Sequence, residues 1–359
     1  MDVKKKILFI LPSLRGGGAE KVMSTILKFL DSSKYEITLA LVKKEGQFLK
    51  DIPEHINIYD LQVNRSRYAI FKIIKLIYRT KPNTVFSTLG YLNLLIAIIR
   101  PILPKNIKFI ARESNTVSIQ NKREKYPKLF DFLYKSFYNR FDIIVAQSQY
   151  MKEDLVENFS IITSKIHVIY NPVDIDTIKI KSTSEIELFD ASKINLLAVG
   201  RLSYQKGFEN LLHALSQLDE TYHLTIIGDG QEKENLLDLV KNLNLTHKVD
   251  LIGFQDNPYK FMKQANLYIL SSWYEGLPNV VLEANSLGLP AIAFACPGGT
   301  SEIINDGVNG FLIECGNIEK MVESIKKAND YRFNINIIKE SVVTRNSVVN
   351  IIGKYENIL

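Results

Sequence analysis

Short apolar runs alternate along the chain with longer segments whose apolar positions recur at helical spacing. In the first half, Lys5–Pro12, Tyr35–Val42, Val85–Thr88, Lys108–Ala111, Asp142–Ser148 and Lys165–Tyr170 read as strands. Between them, Val22, Ile26, Leu27 and Leu30 share one helical face. Over 69–79, Ile70, Phe71, Ile74, Leu76 and Ile77 predict the buried side of a helix with Lys72, Lys75 and Arg79 outside. Leu92–Ile99 and Met151–Asn158 predict two further helices. Strands and helices in strict alternation predict a parallel sheet.

The same plan restarts in the second half. Asn195–Val199, Leu224–Ile227, Val249–Gly253, Leu267–Leu270 and Ala291–Ala295 read as strands, and Phe208–Leu218, Asn279–Ser286 and Glu319–Ala328 as helices. Asn171-Pro172-Val173-Asp174 breaks the first series, and 175–193 is polar and irregular. A chain of 359 residues also exceeds what one hydrophobic core organises. The expected division is therefore a first domain over 1–174, a linker over 175–193, a second domain over 194–335 and a helical tail over 336–359.

Composition adds little to this plan: 46% hydrophobic and 23% charged residues describe an ordinary soluble globular protein. Ile7–Leu14 is too short for a secretory signal, and Leu89–Leu103, interrupted by Asn93, Arg100 and Pro101, falls short of the roughly 20 residues of a spanning helix. The expected location is the cytoplasm. Cys296 and Cys315 have no metal-ligand spacing and read as two small side chains in a reducing compartment.

Charge changes the picture more. Residues 1–175 hold 28 Lys/Arg against 16 Asp/Glu, while 176–359 hold 17 against 23, so +12 faces −6. A basic first half favours an anionic partner. No helix-turn-helix, zinc-finger or RNA-binding signature accompanies it, which argues against nucleic acid. Lys122–Phe141 interleaves six Lys and Arg with Tyr126, Leu129, Phe130, Phe132, Leu133, Tyr134, Phe137, Tyr138 and Phe141. Such a stretch is either an amphipathic helix lying on an anionic membrane surface or an ordinary helix with aromatics in the core; the charge asymmetry is what brings the membrane reading level with the other.

Candidate chemistry collects behind strands. Gly16, Gly17 and Gly18 let a backbone approach a ligand closely, yet match neither the P-loop nor the dinucleotide fingerprint. Arg112, Glu113, Ser114 and Asn115 follow a strand, and either face a substrate or form a structural ion pair or turn. Past Gly200, Arg201 and Lys206 can hold two phosphates, one in a fork and one as a point charge. Gly228 and Gly253-Phe254 repeat the strand-to-loop pattern. In Ser271–Pro290, Glu275 falls in a loop and Glu283 about one turn inside the next helix. Gly276, Leu277, Pro278, Asn279 and Val280 form that helix's mouth, whose free N–H groups suit a phosphate or a polyhydroxylated ring.

Glu275 and Glu283, with seven residues between them, resemble the E-x7-E motif of retaining glycosyltransferases of the GT-B fold, family 4. Val199–Phe208 resembles that family's diphosphate-binding segment, and Gly298–Ile304 and Asn305–Leu312 its closing segments, all in the same order. Gly17-Gly18-Ala19-Glu20 matches its first glycine loop. The resemblance implies two Rossmann-like parallel-sheet domains facing a cleft, with the last helix crossing back to the first domain. It implies transfer of a sugar, with retained configuration, from a nucleoside diphosphate sugar such as a UDP-hexose or UDP-N-acetylhexosamine to a hydroxyl.

On that resemblance Arg201, Lys206 and Glu275 carry the chemistry, with Arg112 and Glu113 standing where many relatives have a histidine. Glu275 holds the donor sugar and Glu283 the ribose. Gly17, Gly18, Gly200, Gly228, Gly253, Phe254 and the segment from Gly276 to Val280 also line the donor site, and Gly16, Ser114 and Asn115 the acceptor side. The cations replace a divalent metal, and no cofactor is required. The expected acceptor is a lipid-diphosphate-linked oligosaccharide of a bacterial surface polysaccharide, O-antigen or capsule, reached by peripheral attachment to the inner face of the membrane. Rival readings are an epimerase or phosphorylase of the same fold, or a silent scaffold subunit, for which Arg201, Lys206, Glu275 and Glu283 together would have no use.

Overall fold

The alternating pattern resolves into two parallel sheets. A computed structural model describes residues 4–63, 66–183 and 189–359. It contains two compact units, Met1–Pro172 with Val348–Leu359, and Val173–Ser347.

In unit 1 the strands are β1 (Lys5–Leu11), β2 (Tyr35–Leu41), β3 (Asn57–Asp60), β4 (Thr84–Thr88), β5 (Lys108–Arg112), β6 (Ile143–Ala146) and β7 (Ile166–Val168). They pair in parallel in the order β3-β2-β1-β4-β5-β6-β7. Alternate residues serve opposite faces. Leu8 and Ile10 join a core with helices 70–80, 90–99, 127–137 and 149–159, while Ile7, Phe9 and Leu11 join one with helix 18–29 and the C-terminal helix 348–356. The polar sequence of β3 explains why no apolar run announced it.

Two helical expectations need correction. Phe71 is 83% exposed, and Ile73 is buried in its place. The helix begins at Ile70, so its core-facing positions fall at Ile73, Leu76 and Ile77, and Phe71 shares the outer side with the exposed Lys72 and Lys75. Lys122–Phe141 is also not one helix: a short helix ends at Asn121, 122–126 is turn and bend, and a new helix runs Pro127–Phe137. Pro127 disfavours helical backbone at Tyr126 and starts the next helix at N1.

The chain's end returns to unit 1, as expected. Ile351, Ile352, Tyr355 and Ile358 join its core, Thr84 Oγ1 donates to the Leu359 carbonyl at 3.0 Å, and Lys34 pairs with Glu356 at 2.8 Å. The return begins later than expected, at Val348. Helix 335–346 instead belongs to unit 2, where it packs on helix 279–286.

In unit 2 the strands are β8 (Ile194–Val199), β9 (Tyr222–Ile227), β10 (Val249–Leu251), β11 (Leu267–Leu270), β12 (Ala291–Phe294) and β13 (Gly310–Ile313). They pair in parallel in the order β10-β9-β8-β11-β12-β13. The expected irregular linker opens as a helix, Ile175–Lys181, capped by Asp174, whose carboxylate accepts from Thr177 N at 3.1 Å. Residues 184–188 of that linker lie outside the described residues. With the observed division the charge split widens: unit 1 holds 29 Lys/Arg against 16 Asp/Glu, +13, and unit 2 holds 16 against 23, −7.

Candidate active site

Strand order reverses in unit 2 between β8 and β11, the first strand pair on either side of the point where successive connections run in opposite directions. Loops at such a switch point diverge and leave a crevice at the strands' C-terminal ends, where open parallel sheets bind ligands. Ladder pairing of β8 with β11 stops at Leu197 and Tyr268. Beyond it the buried Tyr268 hydroxyl fills the gap, donating to Val199 O at 3.1 Å and accepting from Val199 N at 3.3 Å. Burial pushes that phenol's pKa up, so it stays neutral.

The two loops that leave this point carry the predicted charges. Lys206 Nζ and Glu275 Oε1 are 2.7 Å apart, with side chains 18% and 7% exposed, and Ser272 Oγ donates to the same oxygen at 2.7 Å. The Lys206 stem lies across Gly200, where an added Cβ would stand 3.1 Å from its Cε. Gly200 therefore makes room for Lys206. Gly207 ends the loop at φ +57°, and a Cβ there would come within 2.3 Å of the Ser271 carbonyl, so only glycine lets the loops close up. Arg201 is exposed and makes no ion pair among the described residues.

Glu275 is set by its own backbone. Its N–H donates to Pro297 O at 2.9 Å, and Gly299 N donates to Gly276 O at 2.8 Å. Gly298, at φ +123°, lies so close that a Cβ would overlap Glu275 O. That is the physical work of the Gly-Gly pair in the expected closing segment. Pro278 caps the helix Asn279–Ser286, whose bounds match the expected ones; Gly276, Leu277 and Pro278 are buried, Asn279 and Val280 half-buried, and Glu283 is 6% exposed within it. On the other side of β8, Gly200 N donates to Ile227 O and Gly228 N to Gly253 O, both at 2.9 Å, which aligns three strand ends. Phe254 follows, 52% exposed. Structure thus brings the predicted unit 2 residues to one sheet edge.

Unit 1 treats its predicted residues differently. Gly17 stands just before the helix Gly18–Phe29, and a Cβ there would overlap the Glu20 carboxylate, so the glycine loop after β1 is tightly folded on its own helix. Arg112 and Glu113 are 0% and 1% exposed. Arg112 Nε donates to Tyr355 Oη at 3.1 Å and Nη2 to Asn171 Oδ1 at 2.7 Å; Asn171 passes the chain to Gln147, and Gln147 Nε2 donates to Glu113 O at 2.6 Å. Glu113 Oε1 accepts from Tyr138 Oη and, at 3.2 Å, from Asn93 Nδ2. Burial pushes the Glu113 carboxyl up to about 8, against the pull of Asn93, Arg112 and Tyr134. The catalytic placement expected for these two side chains is therefore corrected: both are sealed in the core, and only Ser114 and Asn115 reach the surface of that segment.

Sequence reasoning assigned no role to Ser272, Asn93, Gln147, Asn171 or Tyr355. Ser272 lay within the stretch singled out; the others are neutral side chains far apart in sequence, and nothing in their spacing signals a shared network. Among the described residues no group of three or more His, Cys, Asp or Glu is placed to hold a metal ion. No helix there is long and apolar enough to cross a membrane. Cys296 and Cys315 are free thiols, and burial pushes Cys296 up to about 12.

Comparison with known proteins supplies the family. The models described as Glycosyl transferases group 1 and Glycosyltransferase Family 4 match residues 179–335 and 16–177. The chain is 32% identical over 333 residues, 90% of its length and 89% of the relative's, to the N-acetylgalactosamine-N,N'-diacetylbacillosaminyl-diphospho-undecaprenol 4-alpha-N-acetylgalactosaminyltransferase of Campylobacter jejuni. It is 27% identical to the amylovoran biosynthesis glycosyltransferase AmsD of Erwinia amylovora, with 86% of each chain covered. Among solved structures, Anabaena HepE in complex with UDP-glucose superposes with a TM-score of 0.82 at 22% identity, covering 99% of this chain and 100% of that one. The apo lipopolysaccharide outer core galactosyltransferase WaaB gives 0.76 at 23%, with 98% of each covered. Two Rossmann-like parallel sheets, the paired Lys206 and Glu275 at a switch point and this full-length similarity make the chain a member of glycosyltransferase family 4, a GT-B enzyme of the hexosyltransferase class.

Proposed function

We propose that unit 2 binds a nucleoside diphosphate sugar, with a UDP-sugar first among candidates, and that the enzyme transfers the sugar with retention to a hydroxyl of a lipid-diphosphate-linked oligosaccharide on the way to a bacterial surface polysaccharide. The observation that carries the donor half is the Lys206–Glu275 pair between β8 and β11. An ammonium beside a carboxylate offers a cation to a diphosphate and an acceptor to sugar hydroxyls from one spot. The UDP-glucose complex of HepE supports uridine, and the undecaprenyl diphosphate in the Campylobacter enzyme's name supports the acceptor class.

When the bond from the anomeric carbon to the diphosphate oxygen breaks, both electrons stay on oxygen. Charge grows on the phosphates, and fixed donors aimed there lower the barrier. Lys206, Arg201 and the N–H groups at the mouth of helix 279–286 are those donors, and they take the part a divalent ion plays elsewhere. The acceptor oxygen attacks the face being vacated and its proton passes to the departing diphosphate, so no protein nucleophile is used. Glu275 fixes the sugar ring through its hydroxyls and Glu283 the ribose. Gly228, Gly253 and Phe254 border the nucleoside, while Gly16, Gly17, Gly18, Ser114 and Asn115 serve the acceptor and phosphate side of unit 1.

Unit 1 faces an anionic membrane in this reading. Its net charge is +13, and Phe71, Ile102, Leu129 and Phe132 are each more than half exposed on its outer helices and turns. Screening UDP- and GDP-sugars for binding and transfer, with and without EDTA, tests the proposal. UDP-sugar transfer that survives the chelator is expected; binding of neither nucleotide, or loss of transfer restored by Mg²⁺ or Mn²⁺, overturns it.

A further inference from the structure

Trp273 is the chain's one tryptophan and stands two residues before Glu275. Its ring stacks on Tyr204, with centroids 6.2 Å apart and planes within 16°. Tyr204 belongs to the loop of Arg201 and Lys206, so the stack joins the two charged loops side chain to side chain. Beneath it the backbones are also tied. Trp273 N donates to Gln205 O at 2.8 Å, Gln205 Nε2 to Tyr274 O at 3.0 Å, and Ser271 Oγ to Lys206 O at 2.9 Å. Gly316 makes room for the indole, since a Cβ there would stand 3.0 Å from the ring.

Two features set this pair apart from an ordinary core contact. Tyr204 is 50% exposed, so the stack lies at the rim of the site, not in the interior. The indole Nε1 is buried and finds no hydrogen-bond partner among the described residues. A buried unpaired N–H is unfavourable, and a tryptophan kept there is held by what its ring does for its neighbours. What it does is hold the Lys206 loop against the Glu275 loop.

We infer that the Tyr204–Trp273 stack is a positioning clamp: it holds Lys206 ready for the donor diphosphate, and it shifts when Lys206 exchanges the Glu275 carboxylate for phosphate. This rests on the donor reading proposed above. An ammonium on a flexible stem stabilises charge in the transition state only when its place is fixed beforehand, because ordering it during the reaction adds to the barrier. Without the clamp that ordering falls on the donor complex. Donor KM should rise and kcat fall, while a contact that merely stabilised the fold would change neither in the folded protein.

The single tryptophan supplies the test. UDP is titrated into the wild type while intrinsic fluorescence and calorimetric heat are followed in parallel. A saturable change in emission with the calorimetric midpoint is expected, together with a fall of about tenfold or more in kcat/KM for Trp273→Ala or Tyr204→Leu and near-normal values for Trp273→Phe. Heat without a change in emission, or Trp273→Ala with wild-type donor kinetics, overturns the clamp and leaves the donor site standing. No heat with UDP or GDP overturns the donor reading and the clamp together. The wild-type titration needs no variant to fold.

Discussion

At the C-terminal edge of the first sheet, Arg112 and Glu113 are closed in by Asn93, Tyr138, Gln147, Asn171 and Tyr355, whereas at the same edge of the second, Arg201 stands exposed and Lys206 rests on a glycine. Both sites have a strand followed by charged residues. What differs is the neighbourhood. In unit 1, neutral polar side chains converge on the two charges and bury them; in unit 2, Gly200 makes room for the Lys206 stem, Gly207 and Gly298 let the backbones of the two charged loops close up, and Arg201 is left exposed. Charge at a strand end marks an edge, and the residues around it decide whether the edge is a plug or a site. Unit 1 then presents its remaining charge outward, as the lysines and arginines of its helices.

The largest expected effect separates plug from site. Arg112→Ala removes the donors to Tyr355 and Asn171 and leaves both inside an uncharged cavity. Each buried group left unpaired costs about 1–3 kcal/mol, so a loss of about 3–5 kcal/mol with the cavity is expected by denaturant unfolding. Activity per folded molecule should stay within a few fold. A folded, inactive Arg112→Ala protein would break the comparison and return this segment to catalysis.

Lys206→Ala should do the reverse. Losing a fixed cation at the leaving diphosphate costs about 2–4 kcal/mol of transition-state stabilisation, roughly 30- to 1,000-fold in kcat/KM. Arg201→Ala should follow at the lower end, since its side chain is exposed. Near-normal steady-state rates for both variants would show that the open edge is not where the bond breaks.

Much of this contrast was legible in advance, and the part that was not has a physical cause. Strands β8 and β11 and helix 279–286 followed from apolar runs and a proline, because local pattern and burial agree there. Of the residues that the sequence motifs single out, Lys206 and Glu275 do meet. Phe71 misled because it is apolar and lies beside core positions, yet one step of 100° turns it outward. Arg112 misled because its partners come from as far away as Tyr355, and only the fold brings them together. The break at Tyr126 is legible in Pro127.

Acidity sharpens the comparison from within the plug. Glu113, at about 8 when folded, is raised above the ordinary carboxylate value, so between those two values the native state binds more protons than the unfolded one. The contribution of this carboxyl to stability should be fully present below the ordinary carboxylate range and be lost as pH rises towards about 8, with a slope of at most about 1.4 kcal/mol per pH unit. Chemical denaturation from pH 5 to 8 checks this, with Glu113→Gln as the control that removes the slope. A wild type and variant with parallel profiles would mean that the carboxyl is ionised in the core.

The smallest effect per residue concerns the outer surface of unit 1. Lys122, Arg123, Lys125 and Lys128 lie in or beside the turn before helix 127–137, and Leu129 and Phe132 of that helix are 51% and 60% exposed. Basic side chains near an anionic bilayer contribute about 1 kcal/mol each, and this attraction weakens as the Debye length falls from about 10 Å at 0.1 M salt to about 3 Å at 1 M. Insertion of apolar side chains does not share that dependence, so two variants divide the terms. With the four basic residues changed to Gln, sedimentation with anionic vesicles should drop sharply at low salt. With Leu129→Ser and Phe132→Ser, low-salt binding should persist and the salt-resistant remainder should vanish. UDP affinity should be unchanged in both, because the donor edge belongs to unit 2. Equal binding of wild type to neutral and anionic vesicles, or none to either, would make these side chains an ordinary solvated surface.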